Sequence, residues 1–198
     1  MNNQTTEITK MSKAGWKDKR RVMHRYDLTA EMYEERYAVE QKAKYEAALE
    51  NVEVSGCVIL DVGCGSGLFF REVAAQSRMV IGVDISRKLL LKAKEQANDL
   101  GNVLVLRADA DHLPFKSALF DVIFAFTLLQ NMPKPSVTLN ELMRVSKINS
   151  KVVVTGLKKA FPLKIFMDTL EGSGMKILSF VDNEDLKCYV ATIASLAN

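Results

Sequence analysis

The chain has 198 residues, of which 48% are hydrophobic, 26% charged and 8% aromatic. That composition excludes disordered, collagenous and mucin-like classes, and the length suits one domain with a single core. A net charge of +3 is too small by itself to mark a nucleic-acid binder.

Cys57, Cys64 and Cys188 form no C-x-x-C pair, so neither a disulfide framework nor a zinc ribbon is expected, and no metal site is assigned. The first ten residues lack the apolar stretch of a signal peptide, and no run approaches the roughly 20 apolar residues that span a bilayer. The expectation is a cytoplasmic protein in a reducing compartment.

Charge is concentrated at the start. Lys10, Lys13, Lys17, Lys19, Arg20, Arg21 and Arg25 stand against Asp18 alone, giving that window +6. Residues 1–25 are read as a basic arm, solvated or set to meet phosphate. From Leu28 to Val54 the pattern becomes helical, with Thr29 as a cap and Tyr33, Tyr37, Tyr45 and Leu49 on one stripe.

After Ser55-Gly56, short apolar runs alternate with amphipathic stretches. The runs are Cys57 to Val62, Met79 to Val83, Val103 to Leu106, Phe120 to Phe126 and Val152 to Thr155. Such runs read as parallel strands buried on both faces. Between them, Leu68 to Ala75 is helical. Ser86 to Leu100 is a second helix, N-capped by Ser86 and stopped by Gly101, and a third starts after Pro135. The alternation predicts an α/β fold with a doubly wound sheet. A last helix, Leu163 to Leu170, precedes Met175 to Val181 and Cys188 to Ile193, which are too close for a crossover and must pair antiparallel.

The first strand runs into Leu60-Asp61-Val62-Gly63-Cys64-Gly65-Ser66-Gly67. Its glycines turn the backbone sharply where a doubly wound sheet places its binding crevice. A dinucleotide fingerprint would need Gly or Ala where Leu68 stands, and no G-K-[ST] follows for a P-loop. Asp61 would oppose a pyrophosphate and suits a ligand with a cationic amine. Asp84 ends the second strand, where a carboxylate accepts from ribose hydroxyls. Asp109 ends the third, where it can accept from an adenine amino group beside the Ala110 N–H. Three acids at three successive strand ends describe an adenosine ligand that carries an amine and no phosphate.

Leu60 to Gly67, with Asp84, Asp109-Ala110 and Phe120-Asp121-Val122-Ile123 in order, resembles the class I (Rossmann-like) S-adenosylmethionine-dependent methyltransferases, and specifically a small member of the methyltransferase type 11 kind. The resemblance covers Val54 to about Ile193. It implies a seven-stranded sheet of order 3-2-1-4-5-7-6 with strand seven antiparallel, helices on both faces, and S-adenosylmethionine as cofactor with S-adenosylhomocysteine as product. Gly63, Cys64, Gly65 and Gly67 would pass the methionine part, Asp84 and Ile85 would meet the ribose, and Phe126 would border the site. Residues 26–54 resemble a lid segment, in which Tyr26 or Tyr37 would cover the methionine moiety. The domain division is then 1–25 arm, 26–54 lid and 55–198 methyltransferase domain.

The N-P-P-[YF] motif of methylases acting on planar amino groups is missing after strand four, and no cysteine stands there for attack on a cytosine ring. Candidates for substrate contact are Thr127, Gln130, Asn131, Lys158 and Lys159; Gln130, Asn131, His112 and Tyr37 are the candidate catalytic residues. The leading expectation is methylation of RNA (tRNA or rRNA), because the basic arm adjoins the lid. Alternatives are a small-molecule methyltransferase acting on a quinone precursor or another metabolite, and a non-catalytic cofactor-binding subunit. The wholly apolar strand Val103 to Leu106, placed at a sheet edge by the resemblance, could pair with a small zinc-binding activator protein.

Overall fold

The computed structural model describes the backbone of residues 2–29 and 33–195, and side chains over 15–28 and 41–194. Two helices, α1 (Asn2–Thr29) and α2 (Tyr33–Leu49), precede the sheet. Then follow β1 (Val58–Val62), α3 (Phe70–Val73), β2 (Met79–Asp84), α4 (Arg87–Ala97), β3 (Val103–Arg107), β4 (Phe120–Ala125), a 3-10 turn (Leu129–Asn131), α5 (Pro135–Val145), β5 (Ser146–Leu157), α6 (Leu163–Glu171), β6 (Met175–Val181) and β7 (Cys188–Ser195).

The seven strands lie in the order β3-β2-β1-β4-β5-β7-β6. β1 to β5 are parallel, while β7 runs antiparallel between β5 and β6. β1 is buried along its whole length because helices cover both faces. On one face α5 and α6 bury Leu139, Leu142, Phe166 and Leu170; on the other α2, α3 and α4 bury Tyr45, Phe70 and Ala93. Tyr45 roots α2, its ring centroid 4.9 Å from Phe69 and 4.8 Å from Phe126.

Several local expectations change. Helix α1 runs unbroken from Asn2 to Thr29, across the division expected between arm and lid at residue 25. Ser86 caps α4 as expected, accepting from Leu89 N–H at 3.2 Å, but α4 ends at Ala97 and Gly101 takes no left-handed φ. β3 is not buried on both faces: Leu104 is 55% and Leu106 41% exposed. β3 is the sheet edge, and the β3–β4 connection contains no helix to cover that face. β5 begins six residues before Val152, with its register against β4 shifting between Phe120↔Ser146 and Val122↔Lys151. Asn149 absorbs that bulge at φ +62, a conformation asparagine tolerates.

Candidate active site

The strand-end residues named from sequence meet at one cleft. β1 delivers Asp61, 2% exposed, and turns through Gly63, Gly65 and Gly67, all with positive φ. At Gly67 a Cβ would stand 2.5 Å from the Phe70 ring, so packing of the loop on α3 requires glycine there as much as the backbone does. The loop amides point inward: Gly63 and Cys64 N–H both donate to the Val83 carbonyl, at 2.8 and 3.0 Å, and Gly65 N–H donates to Asp84 Oδ2 at 3.0 Å. Those three N–H groups are therefore already engaged within the protein and are not free to cradle a pyrophosphate.

Two chambers share Gly63, Gly65 and Phe126. The larger, about 730 Å³, is open to solvent and reaches Asp84, Ile85, Asp109 and Ala110 along the strand ends. The smaller, about 320 Å³, is walled by Gln41 and Tyr45 of α2 and holds Asp61, Cys64 and Ser66. Asp61 Oδ1 and Ser66 Oγ are buried there without a hydrogen-bond partner among the described residues. Burial, reinforced by the nearby Asp84 charge, pushes the Asp61 carboxyl up to about 8. Asp84 is also raised by burial, although the Ser86, Gly65 and Ile85 amides hold it down in part. A buried acid with an orphaned oxygen calls for a cation, and an amine brought into the smaller chamber would meet that need.

Helix α1 lies across the larger chamber. Lys19, Val22 and Tyr26, one face at spacings of three and four, all line it. Lys19 is 8% exposed and donates to both Asp109 oxygens, at 2.7 and 2.8 Å, while pairing with Asp111. Asp27 accepts from Ser86 Oγ and from Lys88 N–H, placing a carboxylate at the N-terminus of α4. Arg25 Nη2 donates to Asn131 Oδ1 at 2.9 Å, and Asn131 Nδ2 reaches Tyr26 Oη at 3.2 Å.

The candidate substrate and catalytic residues divide. Asn131, Thr127 and Phe126 line the larger chamber. Gln130 is not part of either lining, and its buried Oε1 has no partner among the described residues. His112 is exposed and lines neither chamber, and its backbone N–H donates to the Asp109 carbonyl at 2.9 Å. Lys158 is engaged by Asp182 at 2.7 Å, and Lys159 is exposed. The Tyr37, Lys10 and Lys13 side chains lie outside the described residues. Asp121, part of a motif in the resemblance, is structural: Oδ2 accepts from Val58 N–H and Oδ1 from Lys147 Nζ, at 2.9 and 2.7 Å, joining β1, β4 and β5 at the strand starts.

Sequence reading assigned no separate role to Gln41, Lys44 or Ser66, and it counted Lys19 only as part of a basic run. Lys44 is 2% exposed and donates to Thr127 Oγ1 at 3.0 Å and Gln41 Oε1 at 3.2 Å. The one available signal was the Lys19–Val22–Tyr26 stripe, two apolar residues in line with a lysine on a helix otherwise rich in charge.

Strand order, glycine turn and strand-end acids define a Rossmann-like methyltransferase fold. Residues 60–154 match the family described as methyltransferase domain. An uncharacterized chloroplastic methyltransferase of Arabidopsis thaliana is 33% identical over 118 residues, 56% of this chain and 34% of that protein. Demethylmenaquinone methyltransferase of Staphylococcus saprophyticus is 34% identical over 102 residues, 50% of this chain and 44% of the relative. The match thus spans less than half of either relative's length. Among solved structures, magnesium protoporphyrin IX methyltransferase of Synechocystis, with bound S-adenosylmethionine, superposes with TM-score 0.75 at 17% identity, covering 90% of this chain and 97% of that one. S-adenosylmethionine is the cofactor that this fold and family carry.

Proposed function

We propose that the protein is an S-adenosylmethionine-dependent methyltransferase whose acceptor is a small molecule with an apolar body. The observation that carries this reading is the apolar share of the cleft lining: Val22, Tyr26, Leu128 and Met132 border the same chamber as Asp84 and Asp109. An apolar wall with a few polar groups suits a small ligand better than a polyanion. Lys19 and Arg25, two of the seven basic residues expected to meet RNA, are engaged within the protein. The demethylmenaquinone methyltransferase relative points in the same direction.

The cofactor supplies a methyl group activated on a sulfonium. In this reading Asp61 takes its amine, Asp84 its ribose hydroxyls and Asp109 the adenine amino group, with Ile85 and Ala110 beside the ring. Asp84 is suited to that task because two backbone amides already fix its carboxylate, from Gly65 at 3.0 Å and Ser86 at 2.8 Å. Phe126, shared by both chambers, excludes water where they join.

The test is incubation of the full chain with methyl-labelled S-adenosylmethionine and an extract, followed by solvent extraction and nuclease digestion. Label that partitions with small molecules and resists ribonuclease is the expected result. Label released only by ribonuclease would overturn the small-acceptor reading and return the basic face of α1 to the centre.

A further inference from the structure

Thr127 follows β4 with φ +56. A β-branched residue holds that left-handed backbone only under strain, so the surroundings must impose it. Three hydrogen bonds do so. Its N–H donates to Thr155 Oγ1 at 2.7 Å, its carbonyl accepts from Asn131 Nδ2 at 2.8 Å, and its Oγ1 accepts from Lys44 Nζ at 3.0 Å. Asparagine or glycine would adopt this backbone with less strain, so the turn alone does not account for a threonine.

Lys44 is among the most deeply buried large side chains of the protein, held there by its neighbour Tyr45 in the aromatic cluster with Phe69 and Phe126. Lysine is rarely buried to this depth without a specific partner. Here the amine stands behind the Thr127 hydroxyl, between Gln41 of the smaller chamber and the wall of the larger one. Among the described residues no acceptor takes the Thr127 O–H, and Thr127 lines the cleft. A hydroxyl polarised from behind by a buried amine is a strong donor, and it prefers negative oxygen as its acceptor.

We infer that Thr127, backed by Lys44, binds the methyl acceptor as an oxyanion, so that the acceptor is an acidic hydroxyl compound, a phenol or enol, on an apolar body. This rests on the small-acceptor reading above. On binding, the hydroxyl proton leaves to solvent and the Thr127 O–H donates to one lone pair of the resulting oxygen. A second pair on that oxygen forms the bond to the methyl carbon while the carbon–sulfur bond breaks and its pair stays on sulfur. An oxyanion and a sulfonium thereby give a methyl ether and a thioether. Thr127 touches the acceptor, and Lys44 is a positioning residue that acts through it.

The experiment loads the full chain with S-adenosylhomocysteine and titrates it with 4-nitrophenol, whose absorbance separates phenol from phenolate, and with its methyl ether, 4-nitroanisole. The expected result is at least about tenfold tighter binding of the phenolate than of the ether, with an absorbance shift toward the anion, as a charge-assisted hydrogen bond provides. Thr127→Ser keeps the shift, whereas Thr127→Val and Lys44→Met lose it while still binding S-adenosylhomocysteine. Equal binding of both probes by the unaltered protein, or an anion preference that survives Thr127→Val, overturns the inference alone. If neither probe enters a cleft that holds S-adenosylhomocysteine, the small-acceptor reading falls with it. If S-adenosylhomocysteine itself does not bind, the assignment of the cleft to the cofactor fails first.

Discussion

Substituting Asp61→Asn tests whether the buried acid waits for a cation. The folded carboxyl stands at about 8 against 3.8 for the unreacted side chain, through burial first and the Asp84 charge second. Between those values the folded ligand-free protein binds one more proton than the unfolded chain. The stabilising contribution is therefore complete below about pH 4 and is lost as pH rises through about 8. The slope approaches about 1.4 kcal/mol per pH unit at most, and relaxation of the buried site brings it nearer 1. Denaturant titrations of wild type and Asp61→Asn at pH 5, 6, 7 and 8 read this directly. Their stability difference should shift by about 1 kcal/mol per unit in favour of the variant as pH rises. An amine that ionises Asp61 must also displace its proton, about 0.9 per ligand bound at pH 7 for a group titrating near 8. Calorimetry with S-adenosylmethionine in buffers of different ionisation heat measures that release, which Asp61→Asn abolishes together with roughly 10- to 100-fold of affinity. A stability difference that stays flat from pH 5 to 8, with no proton released on binding, would refute the reasoning.

Lys19→Met leaves Asp109 and Asp111 facing each other without their shared cation; a loss of about 3 kcal/mol is expected by thermal unfolding, with earlier proteolysis in α1, and an unchanged midpoint would show that the pair does not hold the helix. Gly67→Ala must fit a Cβ 2.5 Å from the Phe70 ring at φ +83, so it should lower stability by more than about 2 kcal/mol and abolish cofactor binding, both readable in one melt with and without ligand. Ser86→Ala removes the N-cap of α4 and a partner of Asp27; about 1 kcal/mol of stability should go, and restoration by Ser86→Thr would separate the cap from packing.

The convergence of the strand-end residues on one cleft was legible because its signals are local. Asp61, the three glycines, Asp84 and Asp109 lie at or just beyond the ends of apolar runs, and strand ends in a parallel sheet converge on one crevice. The residues that sequence did not reveal act across long separations. Lys19 meets Asp109 90 positions away, and Lys44 meets Thr127 83 away, contacts that no periodicity encodes. For the same reason a run of basic residues looked like one surface, when the helical turn sends Lys19 inward and leaves Lys17 and Arg20 exposed. Val103 to Leu106 read as buried because an apolar run cannot tell a central strand from an edge whose crossover lacks a helix. His112 was read near the site because it stands three residues from Asp109, but only Asp109 lines the cleft while His112 is exposed.

A crystal structure of the complex with S-adenosylhomocysteine tests the assignment of the cleft most directly. The ligand amine should lie within hydrogen-bond distance of Asp61 Oδ1 in the smaller chamber, the ribose hydroxyls on Asp84 and the adenine amino group at Asp109, with Lys19 still over that carboxylate or displaced from it. A ligand bound elsewhere, or one whose carboxylate rather than its amine faces Asp61, would contradict it.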